Sequence, residues 1–333
     1  MAVAVPNLAP PPAAGHPYAV RRERLLPPER VRALSRLRPH RVVVDTALCW
    51  LAIAAAWVVA ATWTQAWTVL LALAIVGSRY YALFILGHDG MHRRLFRDPR
   101  VNDRFCDLFL LGPIGAIVRV HKANHLEHHR LLATLRDPDR HKHISANKAT
   151  RPALLVFLTG LRSLLLELGN VFRRGGGSHA RRRGQLTALD RGILVGWQLL
   201  LAGGLSAAFG WWGFPVMWLL PVYAFSYVPD LVRSFAEHSQ PEPDVPADRH
   251  RLITFDSHPI ERFFLAPMNM NRHAAHHLWT SIPYYNLPAA DREMRQHPAA
   301  SALEWRGSYL GYLLRYFRAL PLAAHRAGVT AAP

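Results

Sequence analysis

Residues 46–78 read TALCWLAIAAAWVVAATWTQAWTVLLALAIVGS. These 33 residues lie between Asp45 and Arg79 and contain no Asp, Glu, Lys or Arg. A helix crossing the hydrocarbon core of a bilayer needs about 20 apolar residues. With its flanks, the run is therefore two spans joined by a tight turn near Thr62–Ala66. A second charge-free run, 38 residues between Arg191 and Asp230, has the same length logic, with its turn near Gly210–Gly213. Both turns are rich in Trp, which favours the membrane–water interface. The alternative is a pair of buried core hairpins in a soluble protein, but a soluble domain has no need of such runs. The pattern predicts four spans near 42–62, 66–86, 192–209 and 212–230. The fold class is all-α: an integral membrane four-helix arrangement of two transmembrane hairpins, with a cytosolic helical cap.

The rest of the chain is basic. Forty Lys and Arg stand against 22 Asp and Glu in 333 residues, a formal net charge of +18. Residues 1–45 hold eight Arg and three acids, and 173–183 read RRGGGSHARRR, whereas the two turns carry no charge. Positively charged loops stay on the cytoplasmic side. Both termini and the long 87–190 segment are accordingly expected inside, in a multi-pass protein. The basic excess then reads as a topology signal and as attraction to anionic membrane lipids, with no call for nucleic acid. Two cysteines, Cys49 and Cys106, exclude a disulfide scaffold.

Three regions follow: a basic, partly disordered N-terminal tail over 1–40, a membrane domain over 41–295, and a C-terminal cytosolic tail or helix over 296–333. The first 18 residues are rich in Ala and Pro and lack the order of a signal peptide. Pro152–Gly169 contains Arg162 and Glu167 and is expected to lie along the bilayer surface rather than cross it. Residues 105–118, broken at Gly112-Pro113, are too short to span and are expected to dip into the membrane surface.

Histidines cluster just beyond each hairpin. His88 and His92 are four apart in HDGMH. His125, His128 and His129 in HLEHH have the i, i+3, i+4 spacing, and His273, His276 and His277 in HAAHH repeat it. On a helix such residues project from one side. Neutral imidazoles converging there suit iron, zinc, copper or nickel. Eight histidines exceed the usual four ligands of one zinc ion and suit two metals. A zinc-protease reading fails, because no HExxH occurs. On spacing alone His238, beside a Pro-rich loop, reads as a surface residue.

The chain resembles the integral-membrane fatty-acid desaturase family, the three-histidine-box, di-iron enzymes, in a bacterial form. The resemblance covers roughly residues 40–295. It rests on HDGMH followed by RRLFRDPRVND, HLEHH followed by RLLATLRDPD, and HAAHH followed by LWTSIPYYNLP, with RSFAEH before His238 and IERFFLAPMNMN before the third box. It implies four membrane helices, a cytosolic cap in the inner (cell) membrane's cytoplasmic face, and two iron ions with O2 as co-substrate. The implied ligands are His88, His92, His125, His128, His129, His273, His276 and His277, with His238 as the additional ligand. Carboxylates inside or beside the boxes, Asp89, Glu127 and Glu237, are candidates to accept the far N–H of a ligating ring. His121, one turn before His125, is either a neighbour of the ligands or uninvolved. Arg272 departs from the family pattern, which has an uncharged residue before the first ligand of the third box; a guanidinium there either meets an anion, a protein carboxylate such as Glu127 or Glu237 or an acidic head on the substrate, or points away into the cytosol.

Removing two hydrogens from an unactivated CH2–CH2 unit needs an oxidant that side chains alone do not provide, whereas a metal with dioxygen does. The first function reading is therefore an O2-dependent desaturase acting on an acyl or lipid-like apolar substrate. A hydroxylase or ketolase shares the histidine boxes, and a desaturase of a small non-lipid metabolite stays open. A non-catalytic metal-binding or transport protein would place ionisable residues along its spans, and the charge-free hairpins oppose that. No GxGxxG fingerprint and no HPGG haem segment is present. Electrons are expected from a separate ferredoxin, cytochrome or flavoprotein reductase docking on the basic cap.

Overall fold

The computed structural model describes residues 18–134, 136–143, 148–165, 186–238 and 248–322. Among these residues four helices are long and apolar enough to cross a membrane: Pro39–Thr62, Ala66–Met91, Ala188–Phe209 and Pro215–His238. They form two hairpins, turning at Trp63–Gln65 and at residues 210–214. Gly210 turns with φ 77°, a left-handed conformation that suits glycine. The first and third spans show Leu48, Leu51, Val58, Val195, Leu199 and Leu200 to the outside, as helices facing lipid do. The second span is the most enclosed.

The second and fourth spans run past the predicted ends. A helix whose core positions are paid for by packing has no reason to stop at the membrane surface, and these two carry on into the cap, where their last turns bear His88 and His238. Arg79 therefore lies inside the second span; its guanidinium sits 3.7 Å from the Phe263 ring centroid and donates to the Phe263 carbonyl at 3.1 Å.

Backbone polar groups inside a bilayer must find partners within the protein. Pro221 lacks the N–H that would bond the Met217 carbonyl, and Trp57 Nε1 of the first span donates to that carbonyl instead, at 3.0 Å. The fourth span relieves the proline with two wide turns, Pro215–Leu219 and Tyr223–Tyr227. Pro99–Cys106 is helical, and residues 107–114 then unwind, first into a wide turn and then a tight one. Their carbonyls are taken by the spans: Leu108 by Trp197 Nε1 at 2.7 Å, Phe109 by Trp50 Nε1 at 3.0 Å, Leu110 by Tyr80 Oη at 2.7 Å and Pro113 by Gln198 Nε2 at 2.9 Å. The break expected at Gly112-Pro113 is thus buried in protein, where irregular backbone at membrane depth is tolerated. Of the apolar stretch at 152–169, Arg151–Leu158 forms a helix that packs Leu154 and Phe157 on Leu231 and Phe235 and leaves Leu155 and Val156 exposed. Residues 166–169 lie outside the described residues.

The cap is built from short helices. Asp107 accepts from the Val118 N–H at 2.8 Å and so starts the helix Val118–Leu131, which carries the second box. A short parallel pair, Ile253–Phe255 with Glu304–Arg306, lies beside the third-box helix His273–Leu278. Asn271 ties that helix to the strand: Asn271 Nδ2 donates to the Phe255 carbonyl at 2.7 Å. Residues from both ends of the chain complete the cap. Leu25, Leu26 and Leu34 pack with Leu278, Trp279 and Ile282, and the helix Tyr309–Ala319 packs on the exit of the fourth span.

This arrangement gives a topology prediction. Cysteines at Thr64 and Trp211, both exposed in the turns, should react with an impermeant thiol reagent added to intact cells. Protection of both would contradict a topology with the turns outside.

Candidate metal centre

The nine histidines singled out in the sequence gather at one end of the spans, in two adjacent groups. One ring nitrogen from each of His88, His92, His125, His129 and His276 lies within 4.8 Å of the others. The Nε2 atoms of His92 and His125 are 2.8 Å apart, those of His125 and His129 3.1 Å, and those of His129 and His276 3.3 Å. The second group brings together His128, His238 and His277. His273 joins it, with its Nε2 2.9 Å from the Nε2 of His238. The groups touch where the rings of His129 and His277 stack at 4.1 Å.

Equal spacing in the sequence does not mean a shared destination. His125 and His129 enter the five-histidine group while His128 enters the other; His276 enters the five-histidine group while His273 and His277 enter the other. Residues four apart differ by about 40° around a helix, whereas the three-apart partner is turned about 60° the other way. Each HxxHH helix therefore stands between the two groups and serves both. The expectation that each trio projects together is corrected in this respect.

These distances fit metal binding. Nitrogens about 2.0–2.1 Å from one ion lie about 3.0 Å apart at right angles and about 3.4 Å apart in a tetrahedron. Burial, helped by charged neighbours, pushes His92, His125, His129, His273 and His277 well below the ordinary imidazole range and His276 down to about 3. At neutral pH these rings are uncharged, the form that binds metals.

The far ring nitrogens of the four-histidine group are all held. His128 Nδ1–H donates to Asp137 Oδ1 at 3.0 Å, and His238 Nδ1–H donates to the Arg251 carbonyl at 2.7 Å. His273 Nδ1 lies 3.4 Å from both Glu237 Oε2 and Arg233 Nη1, which are themselves bonded to each other. Tyr18 donates to the His129 carbonyl at 3.2 Å, which leaves its oxygen to accept from His277 Nδ1–H at 3.1 Å. Each of these rings thus turns Nε2 inward, and His277 Nε2 is buried with no hydrogen-bond partner among the described residues. In the five-histidine group the buried Nδ1 atoms of His88, His129 and His276 have no such partner among the described residues. Each of the two groups could hold a metal ion.

The other expected residues divide. Glu237 is fully buried beside His273; it accepts from Arg233 Nη1 at 2.6 Å and from Tyr309 at 2.5 Å. Asp89 accepts from the Tyr284 N–H at 2.8 Å, which docks the segment after the third box onto the second span. Glu127 pairs with Arg130 at 2.5 Å on the outer face of its helix, away from the rings. His121 belongs to neither group. Arg272 points away from both: it pairs with Asp256 at 2.7 Å and Asp291 at 2.9 Å, carboxylates that Arg295 shares. The anion it calls for is thus neither Glu127 nor Glu237, and it clamps the third-box helix to the helix Leu287–Met294.

Sequence reasoning missed Asp137, His143, Arg233, Tyr18 and Tyr309. Burial alone would raise the Asp137 carboxyl, but the His128 and His143 imidazoles beside it hold it well below the usual carboxylate range. His143, with Nε2 2.9 Å from Ser234 Oγ, fills the space beside His128 and His238. The only trace of these two in the sequence is the RDPDRHKH run after the second box, which lacks helical spacing to it.

The model of a family described as fatty acid desaturase matches residues 61–309. The chain is also similar to the sn-1 acyl-lipid omega-3 desaturase (ferredoxin) of Nostoc sp. (strain 36), with 25% identity over 247 residues. That alignment takes in 66% of this chain and 65% of the relative, so the chain spans a little under two thirds of the length of the curated protein it matches.

Proposed function

Because the chain belongs to the fatty acid desaturase family, we propose that it is a membrane-bound, O2-dependent di-iron desaturase that introduces a double bond into a fatty acyl chain or similar lipid-like substrate. The observation that carries this reading is the convergence of nine imidazoles, seven of them buried, into two touching groups at one end of four apolar helices. His88, His92, His125, His129 and His276 would hold one iron, and His128, His238, His273 and His277 the other. Bound there, the two irons would supply, with dioxygen and two electrons, the oxidising power to remove hydrogens from an unactivated CH2–CH2 unit.

The chain's own residues set the conditions. Asp137, Glu237, Tyr18 and the Arg251 carbonyl orient the four-histidine group, and ligands oriented in this way are more basic. The buried Arg233, bonded to Glu237, Asp230 and Tyr81, keeps the Glu237 carboxylate compensated where solvent cannot. Apolar residues of the N-terminal segment, Leu25, Leu26 and Leu34, pack on Leu278 and Trp279 at the end of the third-box helix and keep water from the rings. The spans offer an apolar substrate access from the bilayer. Both termini and the histidines face the cytoplasm in this reading, where a separate electron donor meets a basic surface. The relative's name specifies ferredoxin, which favours a ferredoxin-type carrier for this chain as well.

The test is product analysis. Host membranes expressing the chain with a ferredoxin and its reductase should accumulate acyl chains two hydrogens lighter, only in the presence of oxygen. Accumulation of hydroxylated chains instead would replace the desaturase reading with an oxygen-inserting one.

A further inference from the structure

We propose that Asp137 is the positioning residue that makes His128 a metal ligand, by holding its ring in the tautomer whose Nε2 is bare. The proposal rests on the two-metal reading of the site. His128 Nδ1 lies 3.0 Å from Asp137 Oδ1 and 3.2 Å from Oδ2. Each of those oxygens also accepts a backbone N–H: Asp139 N donates to Oδ1 and Ala133 N to Oδ2, both at 2.8 Å. A carboxylate so placed accepts only. The nitrogen facing it must carry the proton, and the lone pair is left on Nε2, toward His238 and His277.

The loop that delivers Asp137 is shaped for the purpose. Ala133 sits at φ 61°, a left-handed conformation unusual for a residue with a side chain. A buried acceptor that rewards the Ala133 N–H gives a reason for the strain to persist. The carboxylate reaches a second ring as well, with His143 Nδ1 3.5 Å from Oδ2. His143 Nε2 is taken by Ser234 Oγ at 2.9 Å, so its ring, although it lies beside those of His128 and His238, supports the loop rather than ligating.

Asparagine is nearly the same shape and cannot do this. With a backbone N–H aimed at each oxygen of Asp137, an Asn amide NH2 meets a donor in either orientation. The orientation that turns NH2 to His128 also imposes the wrong tautomer. Asp137→Asn should therefore weaken metal at the four-histidine group by about 10–100-fold, the effect typical of removing an outer partner of a ligating histidine.

The experiment loads the purified full-length protein with Fe(II) under anaerobic conditions, then dialyses it against a weak chelator and counts iron per chain. Wild type should keep two, Asp137→Asn one, and His143→Ala two. Two irons retained in Asp137→Asn would overturn the proposal, as would loss in His143→Ala equal to that in Asp137→Asn, which would mean that the loop as a whole acts by packing. A wild type that binds no iron would overturn the two-metal reading itself, a separate result. If Asp137→Asn does not fold, the nitrogen-15 shifts of zinc-loaded wild type decide, with the His128 signals assigned by their absence in His128→Gln. An Nδ1–H ring supports the proposal and an Nε2–H ring overturns it.

Discussion

Alanine at His276 should abolish turnover, with activity falling more than about 100-fold, the upper end of what loss of a mere outer-shell partner costs. His276 is the sole member of the third box in the five-histidine group, its Nε2 3.3 Å from that of His129. Its removal leaves four imidazoles in that group and leaves the other group whole. Iron content should drop by one per chain and not by two. His277→Ala should give a one-iron protein of the opposite kind, since His277 belongs with His128 and His238. The two variants are distinguishable spectroscopically, because their remaining irons have different ligand numbers. Equal iron and full activity in either variant would remove that residue from the site.

Gly77→Leu should prevent accumulation of folded protein in the membrane. A Cβ at Gly77 would sit 2.3 Å from the Pro221 carbonyl oxygen and 2.4 Å from the Phe225 Cβ. Neither is the free end of a side chain that can swing away. Glycine is what allows the second and fourth spans to approach so closely, and Ser226 Oγ uses the proximity to donate to the Gly77 carbonyl at 2.9 Å. Ordinary overpacking costs about 1–3 kcal/mol, and here the spans that carry His88 and His238 would have to separate. Gly196→Leu is the control, since nothing lies within 4 Å of a Cβ there. It should leave expression and detergent-extracted yield near wild type, measured by fluorescence-detected size exclusion.

The hairpins were legible because their signal is the absence of charge over lengths that only a bilayer requires. Their membrane ends were legible only approximately. The second span was expected to end near 86 and the fourth near 230, and they end at Met91 and His238. The charged residues that close a membrane segment do not close a helix, and here the extra turns carry ligands. The histidine boxes were legible because three- and four-residue spacing is a helical fact. Which box histidine serves which group was not, since that depends on where neighbouring helices stand around each box. Asp137 and Tyr18 escaped notice for a related reason: Tyr18 reaches His277 across 259 residues and Asp137 reaches His128 from an irregular loop, so neither leaves a periodic trace. Arg272 was visible as an anomaly, but its partners Asp256 and Asp291 lie on other elements and made its role unreadable from the chain alone.

The account stands most directly on iron stoichiometry. Protein purified in detergent and reconstituted anaerobically with Fe(II) should retain close to two irons per chain, with His276→Ala and His277→Ala each retaining one and the double variant none. A wild-type chain that retains one iron or none, or a double variant that still holds two, would contradict the assignment of nine histidines to two metal positions.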